Sequence, residues 1–419
     1  MGEHTDCVVV GGGPAGMVTG LLLARAGVEV TVLEKHPDFL RDFRGDTVHP
    51  STLTLLDELG LGAEFDVMPY SKVTAIGLPL DGGGTMKLAD FTRLKVAHRY
   101  VAMVPQWDLL TLLAQAAGKE KTFTLRMQTE MTGLIREGGR VAGIRYKTTK
   151  GAKGELRADL VIAADGRWSL ARRQAGLATK EYDCPFDVWW FRLSRHDDEG
   201  EATVTPRMRN RRFAVPLPRT GYSQIAYLAP KLDDLRKEGI EAFRANVTQV
   251  CPELADRVHE LETMDDVKFL DARLNLAAEW HVDGLLCIGD AAHAMSPIGG
   301  VGINLAVQDA VAAATLLAQP LRRGRPTQAD LAKIRSHRLL PTTLAQGVQR
   351  LLHRAVVRPV MAGKRNGPPA AMAKLFTRIP RLSYLPARLL GLGLRPEHAP
   401  AFARRPMEPS QTTGRFPGP

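Results

Sequence analysis

Apolar runs of four to eight residues alternate with stretches of helical spacing through most of the chain, and glycine marks the junctions between them. Residues 7–10 are apolar and β-branched and run into Gly11, Gly12 and Gly13. Pro14 opens a helix carrying Leu21, Leu22 and Leu23 that Gly27 stops, and residues 28–33 form a second strand closed by Glu34. Strand, helix and strand at this spacing predict a βαβ unit, hence a parallel sheet with a right-handed crossover. Residues 51–61 read as a helix with Ser51 as its N-cap and Gly60 near its end.

The pattern then changes. Residues 73–97 alternate as short strands around the turn signal Asp81-Gly82-Gly83-Gly84, and residues 107–117 return to helical periodicity. A hairpin is predicted over 134–146, turning at Gly138-Gly139, and a buried strand over 160–164 ends at Asp165-Gly166. Residues 183–230 hold most of the aromatic clusters, with strands at 187–193 and 223–228. A last buried strand, 285–288, meets Gly289-Asp290 and precedes a helix from about Gly302. The expected fold is α/β, a Rossmann-like nucleotide-binding domain with a parallel sheet, interrupted by a mostly antiparallel β-sheet substrate domain and followed by C-terminal helices. The first domain would comprise 1–72, 98–175 and 272–330, and the second 73–97 and 176–271. Residues 331–400 would be helical, and 401–419, rich in Pro, Gly, Ser and Thr toward the end, a disordered tail.

Composition narrows the class. With 419 residues, 44% hydrophobic and 24% charged, the chain has the make-up of a soluble globular protein of two or three domains. No run of 18 apolar residues suggests a spanning helix, and no export signal is read at the N-terminus. Cys7, Cys184, Cys251 and Cys287 are far apart with no C-x-x-C pair, which fits buried thiols in a reducing cytoplasm and no metal site. The net charge of +11 is uneven: residues 320–419 carry 19 Lys+Arg against 3 Asp+Glu, while the rest is mildly acidic. That basic quarter, with the amphipathic segment 381–394, packs on the enzyme body or touches the inner, anionic face of a membrane. Nucleic acid is not an expected partner, since no stacking aromatics accompany the charge.

Three motifs carry the chemistry. Gly11-Gly12-Gly13-Pro14-Ala15-Gly16 is a G-x-G-x-x-G between strand and helix: Gly11 permits the turn, Gly13 admits a pyrophosphate to the backbone, and Gly16 lets helix and strand approach. Glu34 ends the next strand, where its carboxylate can accept from ribose hydroxyls and would repel a 2′-phosphate, so the dinucleotide is FAD or NAD. The second motif runs from Asp159 through Asp165-Gly166 to Arg172 and Arg173. The third is Gly289-Asp290-Ala291-Ala292-His293, then Pro297, Gly299, Gly300, Val301, Gly302 and Asn304. Each brings an Asp beside a Gly to the C-terminal end of a strand, the edge where open parallel sheets bind ligands.

In this order the three resemble the class A, p-hydroxybenzoate hydroxylase-like flavoprotein monooxygenases, over about residues 6–315. The resemblance implies that FAD is bound by Gly11, Gly13, Pro14, Ala15 and Gly16, by Glu34 and Lys35, and by Arg44 in Phe43-Arg44-Gly45. It further implies contacts from Gln106 near the ribityl chain and from Asp165 and Gly166, which would also serve the nicotinamide cofactor. Asp290 and Pro297, with Gly299, Gly300, Val301, Gly302 and Asn304, would border the ribityl chain and isoalloxazine. The activity implied is insertion of one oxygen atom from O2 into an aromatic or polycyclic small molecule through a flavin hydroperoxide. NADPH or NADH would visit as hydride donor, consistent with the lack of a second G-x-G-x-x-G. An oxygen adduct of flavin needs shelter from water.

For the substrate pocket the aromatic strands offer Trp190, Arg192, Tyr222 and Tyr227, with Trp189, Phe213, Arg212 and Arg219 as further candidates. His49 and His293 are candidate proton handlers, each with packing as its plainer role, and no catalytic base is named. A halogenase would carry W-x-W-x-I-P, where this chain has Trp189-Trp190-Phe191. A reductase or saturase of an isoprenoid-type substrate, and a non-catalytic flavin-fold binding protein, remain as alternatives.

Overall fold

The computed structural model describes residues 3–40, 46–80, 84–196, 203–231 and 233–406. Five parallel strands form its centre, in the spatial order Leu285–Cys287, Lys153–Ala163, Glu3–Val10, Val30–Leu33, Phe123–Arg126. The hairpin Thr129–Glu137/Arg140–Thr148 adds antiparallel strands beside the first half of Lys153–Ala163, and His281–Val282 pairs antiparallel at the edge. Strands such as Val8, Val9 and Val10 are buried on both faces because helices cover both sides, so their text is continuously apolar.

Register decides what stands at the sheet's C-terminal edge. Val10 is level with Ala163 and Leu33, and Ala163 with Cys287. The next residues along these four strands are therefore Gly11, Ala164-Asp165, Glu34 and Ile288-Gly289, side by side. Three motifs separated by well over a hundred residues meet at one rim.

The second sheet, in the order Arg207–Arg209, Arg212–Pro218, Tyr222–Pro230, Phe186–Ser194, Lys268–Leu270, is antiparallel throughout. One face packs on the helix Leu235–Val250, through Phe191, Tyr227 and Phe243. The other faces the glycine-bearing rim and carries Val188, Trp190, Phe213, Ala226 and Leu228. The strands Ala75–Pro79 and Thr85–Asp90 pair antiparallel as expected, although 81–83 lie outside the described residues.

Two expectations are corrected. Ser51 is not an N-cap: the helix is Pro50–Glu58, His49 precedes it, and the Ser51 hydroxyl donates to Asn304 Oδ1 at 2.7 Å. Proline at the first helical position moves the N-cap two residues earlier, to His49. Residues 401–406 do not begin a disordered tail. A 3₁₀ turn at Ala401–Ala403 buries Ala403, whose carbonyl accepts from Arg25 Nη1 at 2.8 Å; residues 407–419 lie outside the described residues. The polar composition of the segment hid Phe402 and Ala403, which pack on the main core.

Candidate active site

A single continuous cavity of about 880 Å³ runs from the glycine rim into the space beneath the second sheet. Its walls show why each motif is built as it is. Gly11 has φ +108°, and a Cβ there would lie 2.4 Å from the Ala164 carbonyl oxygen. Gly13 is the opposite case, since a Cβ would meet nothing within 4 Å. Gly16 does not line the cavity; it sits behind the turn, where a Cβ would fall 1.9 Å from the Gly11 oxygen. Its role is close packing rather than contact.

Glu34 lines the cavity and is also built into the turn. Its Oε2 accepts from Gly12 N at 3.1 Å and its Oε1 from His36 N at 3.0 Å. Removing the carboxylate therefore loosens the glycine loop as well as deleting an acceptor. Glu34→Ala is expected to weaken FAD affinity by about 1.5–3 kcal/mol, the worth of hydrogen bonds to a charged group; fluorescence titration of the apoprotein measures it.

Asp165 accepts from Leu170 N at 2.8 Å and Ala171 N at 3.3 Å through Oδ2. Its Oδ1 is buried with no hydrogen-bond partner among the described residues, and burial raises its carboxyl above the ordinary range. Asp290 faces the cavity beside Arg167, whose Nη2 lies 3.4 Å from its Oδ2. Gly299 and Gly300 both have positive φ, and the helix Gly302–Arg322 begins two residues later, its first turn against the cavity. The Gly300 oxygen accepts from Thr47 Oγ1 at 3.1 Å and from His49 Nε2 at 3.0 Å. Burial pushes the His49 imidazole down to about 4, so it is neutral near pH 7 and donates to this turn through Nε2. His293 does not reach the cavity lining; its Nε2 lies 2.5 Å from the buried Asp309.

Of the cofactor residues named from sequence, Gly11, Gly13, Pro14, Ala15, Glu34, Lys35, Gln106, Asp165, Gly166, Asp290, Pro297, Gly299, Gly300, Val301, Gly302 and Asn304 all line this one cavity. Arg44 lies outside the described residues. An open approach at Gly13, a helix N-terminus at one end and an orphaned buried oxygen on Asp165 are the features a long anionic dinucleotide with hydroxyl groups would complete, so the residues fit FAD.

The substrate candidates divide. Trp190 and Phe213 line the cavity. Tyr227 does not: strand alternation turns it to the far side, where its ring stacks edge-on against Phe243 at 5.4 Å. Trp189 points the same way. Arg192 shares Trp190's face but lies beyond the cavity lining, its guanidinium 4.7 Å from the Tyr222 ring and 5.7 Å from that of Trp107. Arg219 is buried against Asp46 and Gln224, and Arg212 pairs with Asp233, so neither is placed for a substrate anion.

What sequence reasoning missed is the remaining wall. Pro341, Ala345, Val348 and Leu352, one stripe of the helix Gln328–Leu352, close the cavity with Val356 and Val357 beyond it and with Leu389, Leu390 and Leu394. Their helical spacing is a readable signal of an amphipathic helix, but it does not say what the apolar stripe meets. The apolar side of the 381–394 segment thus turns partly inward, although Leu385 is 62% exposed.

The fold and this rim define a class: the chain belongs to the FAD-binding domain family, whose profile matches residues 4–342, and it is an FAD-dependent monooxygenase. It is 34% identical over 387 residues to the 6-methylpretetramide 4-monooxygenase of Streptomyces rimosus, a match covering 90% of each chain. It is 30% identical to a rifampicin monooxygenase of Streptomyces venezuelae, across 73% of this chain and 62% of that protein. Among solved structures, an anhydrotetracycline hydroxylase from Streptomyces rimosus superposes with a TM-score of 0.74 at 23% identity, covering 93% of this chain and 76% of that one. The last likeness shows a shared fold.

Proposed function

We propose that the chain hydroxylates a polycyclic aromatic molecule at the deep end of the cavity, with FAD along the rim and NADPH or NADH as reductant. The observation that carries this is the continuity of the cavity: the motif-lined half opens directly into an apolar chamber walled by Trp190, Phe213, Leu228, Val356 and Val357. The relatives named for 6-methylpretetramide and for rifampicin support the substrate class.

When bound, FAD supplies electron transfer from the nicotinamide to O2 and delivery of oxygen to the substrate. The chain's own residues do the rest. Gly11, Gly13, Pro14 and Ala15 bring backbone to the pyrophosphate, and Glu34 takes the adenosine ribose with Lys35 beside it. Asp165, Gly166, Gln106 and Asp290 take the central hydroxyls. The N-terminus of Gly302–Arg322, with Pro297, Gly299, Gly300, Val301 and Asn304, stabilises negative charge on the reduced ring. The apolar chamber excludes water. In this reading 1–72, 98–175 and 272–330 serve the cofactor, 73–97 and 176–271 the substrate, and the helices of 331–400 complete the chamber.

Aerobic NAD(P)H oxidation and oxygen uptake, followed together over a panel of hydroxyanthraquinones and other polycyclic phenols, test it. A ligand that accelerates both is the expected result; NAD(P)H consumed without oxygen would give the reaction to a reductase. Beyond the site, Leu340, Leu344, Leu351, Leu375, Ile379 and Leu385 are exposed in a region whose charges are nearly all basic, which supports contact with an anionic membrane surface. Salt-sensitive co-sedimentation with phosphatidylglycerol vesicles is expected, and its absence would remove that contact.

A further inference from the structure

Behind the chamber wall lies a polar pair to which the cofactor motifs assign no task. Ser296 lines the cavity in the loop between Asp290 and the helix Gly302–Arg322, and it is buried. Its Oγ lies 2.9 Å from Nε2 of His353, also buried, and accepts from Ile298 N at 3.3 Å. A hydroxyl that accepts from a backbone amide has its own proton free to donate. In the tautomer with the imidazole hydrogen on Nδ1, Ser296 donates to Nε2.

That Nδ1 is buried without a well-formed hydrogen bond among the described residues, and the Asp183 backbone acts on the imidazole. A buried polar atom in that state needs a reason, a water or a proton in transit among them. The backbone around the pair is held firmly. Gln349 accepts from Ser296 N at 3.2 Å and donates to the carbonyls of Ser296 at 2.9 Å and Ile298 at 2.8 Å. His353 also opens a π-helical turn, His353–Val357, and such turns concentrate at functional sites. Val356 and Val357 of the same turn line the chamber.

On its outer side His353 meets the edge of Phe186, with ring centroids 5.5 Å apart. The charged groups that bear on it are Asp183, from the segment before Phe186–Ser194, and Arg358, one turn further along its own helix. Those two pair with each other at the exposed surface. His353 thus bridges the chamber wall and a solvent-facing ion pair.

We propose that Ser296 and His353 are the route by which the hydroxyl proton of a phenolic substrate leaves the chamber, an inference that rests on the aromatic-substrate reading above. The substrate O–H bond breaks and its proton passes to Ser296 Oγ as Ser296 passes its own proton to His353 Nε2. Nδ1 then releases a proton toward solvent beside Asp183 and Arg358. The electron pair stays on the substrate oxygen, no redox partner is consumed, and the phenolate's ring carbons become better nucleophiles toward delivered oxygen. Burial holds the His353 imidazole below the ordinary histidine value, which keeps it neutral and able to accept.

The test uses FAD-loaded enzyme with alizarin, a hydroxyanthraquinone whose colour reports its ionisation, in a stopped-flow jump from mildly acidic to mildly basic pH. Deprotonation of bound alizarin is expected to slow by about 10²-fold in both Ser296→Ala and His353→Gln, a usual worth of a positioned proton acceptor, with FAD content and alizarin affinity retained. Unchanged rates in variants that bind alizarin would overturn the route alone. Failure of the wild-type enzyme to bind alizarin or any other polycyclic phenol would remove the substrate reading, and the route with it. Should His353→Gln lose its flavin, Ser296→Ala decides, since it deletes one oxygen from a loop that Gln349 still clamps.

Discussion

Gly16→Ala is expected to produce protein that carries little or no FAD and melts well below the wild type even as apoprotein. The added Cβ would lie 1.9 Å from the Gly11 carbonyl oxygen and 3.1 Å from its carbon, and these are backbone atoms that cannot rotate aside. The turn has nowhere to retreat, because Gly11 itself sits against the Ala164 carbonyl, 2.4 Å from where its own Cβ would be. Relief must come from the helix Pro14–Arg25 lifting off the sheet, and its residues Met17, Val18, Leu21 and Leu22 are all buried in the main core. Overpacking of a core costs about 1–3 kcal/mol when side chains can adjust, and a clash between backbones belongs at or above the top of that range.

Gly13→Ala is the informative comparison. A Cβ there meets nothing within 4 Å, so the apoprotein is expected to keep its melting temperature while FAD affinity falls. Flavin content after purification and thermal melts of the two apoproteins separate the cases. Equal melting temperatures would show that Gly16 serves the cofactor and not the packing.

The contrast also shows what a sequence can and cannot disclose. Four of the five parallel strands were legible because strands buried on both faces are written as unbroken apolar runs, each followed by a glycine or acidic residue that only a rim requires; the fifth, Phe123–Arg126, is partly exposed at the sheet edge and carried no such signal. The rim followed from order alone. Facing was not legible in the second sheet. Trp189 and Trp190 must point to opposite sides, but which side holds the cavity depends on the helix Leu235–Val250, some fifty residues on, covering the other. Tyr227 was misassigned for that reason. The C-terminal wall was hidden differently: Pro341, Ala345, Val348 and Leu352 are ordinary apolar positions of an amphipathic helix, and nothing local says whether such a stripe meets core, ligand or lipid.

Arg338 belongs to neither motif nor cavity, yet its loss is expected to cost about 3–5 kcal/mol, the penalty for stranding a buried charge. The guanidinium is fully buried. It donates to Asp309 Oδ1 at 3.0 Å, Glu397 Oε1 at 3.0 Å, Gln308 Oε1 at 3.1 Å and the Arg395 carbonyl at 3.2 Å. Asp309, also fully buried, uses its other oxygen to hold Gly289 N at 3.1 Å and His293 at 2.5 Å. The G-D turn that carries Asp290 to the cavity is therefore tied to a charge that Arg338 neutralises. Burial alone would raise the Asp309 carboxyl, but His293 and Arg338 outweigh it and hold it below the ordinary value. A carboxyl depressed in the folded state adds stability above its unfolded value, near 4, and that contribution disappears as pH falls through the folded value. In Arg338→Met the part of the depression owed to Arg338 is removed while the burial and the His293 contact remain, so acid unfolding should begin at higher pH, with FAD affinity falling as the Gly289 turn loosens. Urea unfolding at neutral pH and an acid titration of flavin release measure the two effects. Asp309→Asn combined with Arg338→Met should cost less than Arg338→Met alone, because the amide oxygen can still accept from Gly289 without an unpaired charge. A double variant that is instead less stable than the single would mean that the turn depends on the carboxylate itself and not on its neutralisation.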